Sequence, residues 1–321
     1  MNERKILFQF RCKVLKKKTR RMAGADASIE GQLAEQESRA LASDEKEFYD
    51  AAIESLDKED RELFLQQPLD ILQIVRGCAG EANRKEATIK TIKFISDWRK
   101  KVGYYQNFEK NLEHEEEFHR MWPEYVCGTD KYGHFIQSLR ASEIDTDGLV
   151  KIDENQLFRL QGQRMRAYSV FKQELSKRSG VQRYKHTAVI DMQGVSMSMM
   201  MGAKRILLKK ILDTNSNYFP ETMSKLYLLN APMVFRAVWS VVKPWLHPIT
   251  VAKISILGGG RDAQLRALAE QGIAADQLPA WVGGTSPSMP CVTIVRRIVA
   301  ERAAAAAAAA PSGEASAGPA D

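Results

Sequence analysis

Three short apolar runs constrain this chain more than any other feature: HTAVIDMQG at 186–194, KLYLLNAP at 225–232 and AKISILGG at 252–259. Each is nearly unbroken in aliphatic residues and each is closed by glycine or proline. An apolar run of that length, bounded by turn residues, reads as a strand buried on both faces, the habit of parallel sheets covered by helices. Helical patterns stand between the runs, at 155–177, 199–212, 234–242 and 263–271, and Gly180 is a natural stop for the first of them. Parallel strands need such crossovers, so the order predicts an α/β sheet in which 188–192, 225–230 and 252–257 are neighbouring strands. FIQSLRA, after the tight TDKYGH turn, is expected to be a first or edge strand.

The rest of the chain divides by composition. From 41 to 105 the pattern is helical, with Ile89, Ile92, Ile95 and Trp98 recurring at spacings of three, and predicts a small helical domain. HEEEFHRMW resumes as a charged helix that stops at Pro123. Residues 1–40 read as a basic, disordered extension. Arg4, Lys5, Arg11, Lys13, Lys16, Lys17, Lys18, Arg20 and Arg21 all precede Met22 and are opposed in that stretch only by Glu3, within a net charge of +7. Such a segment suits a surface-seeking helix, an organelle-targeting signal, a nucleic-acid tail or a dispensable leader before the ordinary-looking start at Met22. Residues 302–321, rich in Ala, Gly, Ser and Pro, read as a disordered tail.

Several chemistries find no support. Cys12, Cys78, Cys127 and Cys291 form no CxxC spacing, which argues against zinc and against a disulfide framework and fits a reducing compartment. No run approaches the ~20 apolar residues of a membrane span, and no secretory h-region opens the chain. Gly258–Gly260 lacks the spacing of a phosphate loop, so a plain turn is the better reading. His114 and His119 stand five apart, off the shared helix face that zinc ligation needs. His186 and Asp191 have no plausible serine partner, so no catalytic residue is assigned.

Two stretches invite an apolar ligand. VSMSMMMGAKRILLKKIL places Met200, Ala203, Leu207 and Ile211 on one side, as core or as the lining of a cavity, since methionine adapts to flexible apolar partners. FRAVWSVVKPWLHPIT sets Phe235, Val238, Trp239, Val242, Trp245, Leu246 and Ile249 around a helix interrupted at Pro244 and Pro248. A lid or membrane-facing element fits that pattern at least as well as plain core does. In NYFPETMSKLYLLNAP, Pro220 should end the preceding helix, which leaves Glu221 at a helix-to-strand corner.

VIDMQGVS, YFPETMSKLYLLNAP, VVKPWLHPITVAKISILG and LPAWVGGTS, in this order and spacing, resemble the CRAL-TRIO lipid-binding family, and within it the phosphatidylinositol/phosphatidylcholine transfer branch. FISDWRKKVG resembles that family's N-terminal helical domain. The resemblance implies a lipid-binding domain over 115–297: a mixed sheet as floor, surrounding helices, and a mobile gate at about 234–250 over an apolar cavity for one lipid. It implies that Glu221 and Lys253, the latter on the last strand, contact the headgroup. Tyr218 and Phe219 are then expected to join Met200 and the gate positions as cavity lining.

The chain departs from the branch where Cys78, Ala79 and Thr222 replace basic residues, and where Gln137 stands in place of an aromatic. The departures predict weak phosphatidylinositol loading, with Arg76 as a candidate substitute. The resemblance implies a non-enzymatic, monomeric exchanger or presenter of a phospholipid or other hydrophobic molecule. It would meet membranes transiently from the cytoplasm, without nucleic acid, metal or cofactor. The alternatives are a membrane-recruited adaptor that senses lipid without transfer and, more distantly, an enzyme on the same scaffold.

Overall fold

The computed structural model describes residues 29–106 and 111–309. The helical part comprises α1 (Ile29–Ser38), α2 (Ser43–Glu54), α3 (Lys58–Leu65), α4 (Pro68–Gly77) and α5 (Arg84–Lys101). Their ends are written locally: Asp57 caps α3 by accepting from the Asp60 amide, Pro68 opens α4, and Asn83 caps α5 through the Glu86 amide. Ile71, Ile74 and Val75 of α4 meet Ile92 and Ile95 of α5, with Ala52, Phe64 and Leu56 closing the core. A buried ion pair, Arg99 to Asp70 at 2.7 Å, also links α5 to α4, and the Ser169 hydroxyl donates to the other Asp70 oxygen at 2.5 Å.

Next come α6 (Glu115–Met121), β1 (Tyr125–Thr129), β2 (Phe135–Arg140), the short α7 (Thr146–Leu149), α8 (Glu154–Ser179) and β3 (His186–Asp191). The chain then runs through α9 (Gly202–Tyr218), β4 (Met223–Leu229), α10 (Phe235–Val242), α11 (Pro248–Ala252), β5 (Ile254–Leu257), α12 (Arg261–Glu270) and α13 (Cys291–Ala309). The sheet order is β1-β2-β3-β4-β5, with β1 antiparallel to β2 and all other pairs parallel. The sheet is mixed, as expected, and its three predicted strands are neighbours.

Three expectations need correction. β2 is not an edge, because β1 precedes it across a hairpin in which one Asp130 oxygen accepts from the amides of Tyr132 and His134 at 2.9 and 3.0 Å. The extension expected to be disordered over 1–40 is helical at 29–38, and the reason is Glu37: its carboxylate, 1% exposed, is hydrogen-bonded to His134 at 2.6 Å. The tail expected from 302 continues α13 to Ala309, since consecutive alanines favour helix. Residues 1–28, with the basic cluster, and 310–321 lie outside the described residues.

Strand alternation and register sort the sheet into two faces. Val189, Tyr227, Leu229 and Leu257 point to one, sealed by Leu268 of α12 and by Ile273, Leu278 and Val282 after it. Ala188, Ile190, Leu226, Leu228, Ile254 and Ile256 share the other. Its β2 side, at Phe135, lies under α8 and α13 through Met165, Phe171, Val292 and Val295. Its β4–β5 side lies under the proline-broken segment.

Candidate functional site

The proline-broken segment folds as its sequence dictates. α10 ends at Val242, Pro244 sits in a single 3₁₀ turn at Lys243–Trp245, and Pro248 restarts the chain as the first residue of α11. Phe235 and Val238 are buried against Leu228, Met200, Val195 and Ala141, and Trp239, Val242 and Trp245 pack around them together with Ile190, Leu226 and Ile254. Phe235 and Trp239 stack at 6.0 Å, and the Arg205 guanidinium lies over Trp245 at 5.6 Å. Leu246 is half-buried and Ile249 is exposed.

The floor under this segment is apolar and incompletely covered. Ile190, Leu226 and Ile254 are only partly buried, and Ile256 is 48% exposed. Met200 packs beneath this segment, on a 3₁₀ turn at Met197–Met200 and not on the expected helix. α9 begins two residues later, at Gly202, whose φ of 53° re-aims the chain.

Tyr218 and Phe219 are not with the gate. α9 carries them past the sheet onto α5, where Trp98 stacks on Tyr218 at 4.4 Å and meets Phe219 edge-on at 5.5 Å, while Phe94 stacks on Tyr218 at 5.0 Å. This pair joins the two parts of the molecule. Pro220 does end α9, as predicted.

Glu221 and Lys253 are brought together. Glu221 holds a φ of 51°, packed where a side chain on Gly77 would meet Pro220 and Glu221, and its Oε2 accepts from Lys253 Nζ at 3.4 Å. Lys253 is not on the strand as expected: it is the C-cap of α11, one residue before β5. A third group was missed. Lys185 Nζ reaches the same Glu221 oxygen at 2.7 Å. Lys185 precedes β3, Glu221 precedes β4 and Lys253 precedes β5, so the cluster marks the amino ends of three adjacent parallel strands. A charged residue at the entry of each run, in YKHTAV, FPETMS and VAKISI, was the available signal.

The electrostatics come from burial and neighbours. Burial opposes the charge on Glu221, yet Lys185 and Lys253 outweigh it and hold the carboxyl below its ordinary value. Lys185 is raised, because Glu221 overcomes its burial, while Lys253 is lowered by burial with Lys185 adding repulsion. The positions singled out as departures have other work. Cys78 contacts Thr91, and Thr222 accepts from Lys172, which burial pushes down to about 7. Gln137 donates to Glu124 at 2.9 Å. Arg76 is committed to Glu45 and to the carbonyls of Glu37 and Arg39.

Among the described residues no group of acidic, histidine and cysteine side chains could hold a metal ion, and no helix is long and apolar enough to cross a membrane.

Residues 119–284 match the family model for the CRAL/TRIO domain. The CRAL-TRIO domain-containing protein YKL091C of Saccharomyces cerevisiae is 30% identical over 200 residues, 59% of this chain and 62% of that protein. The SEC14 cytosolic factor of Eremothecium gossypii is 28% identical over 245 residues, 74% and 77% of the two chains. The phosphatidylinositol/phosphatidylcholine transfer protein SFH12 of Arabidopsis thaliana is 26% identical over 193 residues, 59% of this chain and 34% of its own. The chain thus spans less than two thirds of the first and third of these relatives. With the matched residues running from α6 to the turn after α12, and so including the whole sheet, the gate segment and the charged cluster, the chain belongs to the CRAL/TRIO domain family.

Proposed function

We propose that this chain holds one phospholipid between the β4–β5 floor and the α10–α11 gate, and exchanges or presents it at membranes as a monomer, with no bond made or broken. The observation that carries this reading is the half-covered aliphatic floor under a proline-broken gate, bordered at its strand entries by Lys185, Glu221 and Lys253. The name of the Arabidopsis relative supports the same ligand class. Phe235, Val238, Trp239, Val242, Trp245, Leu246 and Ile249, with Met200, are the apolar contacts, and Glu221 and Lys253 are headgroup contacts. Tyr218 and Phe219 serve as interdomain packing.

Acyl burial contributes about 0.8 kcal/mol per CH₂, so a ~15-methylene chain is not released through bulk water. The gate has to open against a bilayer. Met201 on the turn before α9, Ile206 on α9, Met233 before α10 and Ile249 on α11 are exposed at 65, 58, 87 and 57%, on adjacent elements that also carry Lys204, Arg205, Arg236 and Lys243. Apolar tips among cations suit transient insertion at an anionic surface.

The test is transfer of labelled phosphatidylcholine or phosphatidylinositol between two vesicle populations. Saturable transfer with one lipid recovered per protein is expected. Vesicle binding without transfer would favour a lipid-sensing adaptor, and neither binding nor transfer would overturn the reading.

A further inference from the structure

Lys185 and Lys253 both direct their ammonium groups at one oxygen, Glu221 Oε2, at 2.7 and 3.4 Å. The Lys185, Lys253 and Glu221 side chains are only 7, 12 and 25% exposed, and the Glu37 carboxylate also acts on both lysines. Each ammonium carries three N–H donors, and neither has another side-chain or backbone acceptor among the described residues. The second carboxylate oxygen, Oε1, likewise accepts from no described residue. Two cations with spare donors and one spare anionic acceptor therefore converge where three parallel strands begin.

Nor is Lys185 a loose surface lysine. Its backbone N–H donates to Glu37 Oε1 at 2.7 Å, the Tyr184 N–H donates to the same oxygen, and the other Glu37 oxygen pairs with His134 at 2.6 Å. Helix α1 thereby fixes the main chain from which Lys185 projects. In open α/β sheets, ligands usually sit outside the carboxyl ends of the strands. At these amino ends side-chain charge converges instead.

We infer that Lys185 is a specificity-determining residue of the lipid site: with Lys253 it grips the phosphodiester of an anionic phospholipid, while Glu221 Oε1 accepts from a hydroxyl of the headgroup. This rests on the lipid-exchange reading above. The chemistry distinguishes hydroxyl-bearing headgroups such as inositol or glycerol, which donate to a carboxylate, from choline, which has no donor to offer. The two ammonium groups also repel the quaternary ammonium that phosphatidylcholine carries beside its phosphate, so the pair selects against the zwitterion.

The test loads the full chain from phosphatidylcholine vesicles doped with phosphatidylinositol or phosphatidylglycerol, and compares it with Lys185→Met, which keeps the stem and removes the charge. Urea midpoints are measured on the same samples. The expected result is a fall of about tenfold or more in the ratio of anionic lipid to phosphatidylcholine, roughly 1.4 kcal/mol, with phosphatidylcholine uptake nearly unchanged and the midpoint lowered, since Glu221 keeps only its longer contact to Lys253. An unchanged ratio, whether or not stability falls, would make Lys185 a structural counter-ion and overturn the inference. If Lys185→Met does not fold, Lys185→Gln, which retains a hydrogen bond to Glu221, is read the same way. Inorganic phosphate alone separates the sources: its binding to the chain through Lys185, with no uptake of anionic lipid, would mean a site for free phosphate and not for lipid. If the unmutated chain takes up none of the three lipids, the exchange reading falls and this inference with it.

Discussion

On the sheet face turned away from α12 the β2–β3 and β4–β5 halves are both apolar, yet Phe135 and Ala188 are buried while Ile254 is only partly covered and Ile256 is half-exposed. The first half is roofed on both faces, by α8 and α13 on one side and by α12 with the turns after it on the other. The second half has its roof on one face only; over the other lies a helix broken twice by proline. Hydrophobic sequence alone does not say whether a strand is there for folding or for a ligand. The distinction lies in what covers it: continuous helices fix the floor, and an interrupted one leaves it available.

The largest effect expected from this difference is on stability. Phe135→Ala, under α8 and α13, should cost about 3 to 5 kcal/mol in urea unfolding, whereas Ile256→Ala should cost about 1 kcal/mol, because half of its side chain stays in water on folding. Ile256→Ala should instead lower the amount of lipid retained. Equal costs at the two positions would erase the comparison.

The roofed half also carries the deepest charges. Burial alone would lower His134, but Asp130 at 2.8 Å and Glu37 at 2.6 Å outweigh it and raise its pKa to about 9. A group raised above its unfolded value near 6.5 contributes stability that is full below that pH and is lost as pH climbs through 9, here on the order of 3 kcal/mol. Glu37 and Asp130 are both lowered despite burial, through His134 first of all, so their contribution is lost in acid. Unfolding midpoints should therefore drop between pH 6.5 and 9, and His134→Gln should flatten that slope. A slope that survives the substitution would place its origin elsewhere.

A smaller, spectroscopic effect belongs to the open half. In a variant retaining only Trp239 and Trp245, vesicles should shift the tryptophan emission to the blue as the gate meets the bilayer. Unchanged emission would make the gate another static roof.

Much of this was legible in the chain. The three apolar runs gave the neighbouring parallel strands, and Pro244 and Pro248 gave the breaks in the gate, because both depend on local rules of periodicity and backbone geometry. Glu221 and Lys253 came from resemblance and do meet. What escaped depends on contacts far apart in sequence. Glu37 is ordered by His134, 97 residues away, and Lys185 finds Glu221 only because parallel register lines up the strand entries. Tyr218 and Phe219 were misplaced for the same reason: an aromatic pair looks alike whether it faces a gate or Trp98.

A small stability effect is expected in the charged cluster that spans the two halves, at Lys253. A buried ion pair stripped of one partner normally costs about 3 to 5 kcal/mol, since the remaining charge is left without compensation. Here the carboxylate is not stranded. Glu221 keeps Lys185 at 2.7 Å, the shorter of its two contacts, and its side chain is 25% exposed. Removing Lys253 also relieves the repulsion between the two ammonium groups, which already holds Lys253 below its ordinary pKa together with burial. Lys253→Ala should thus cost about 1 kcal/mol or less, in the range of partly exposed pairs. Loading of an anionic phospholipid should fall in the same sample, because the phosphate loses a charge-assisted bond while its desolvation cost stays. A loss of several kcal/mol with loading intact would move Lys253 to the structural side of the comparison, and would leave the open half with a floor and a gate but no headgroup contact at β5.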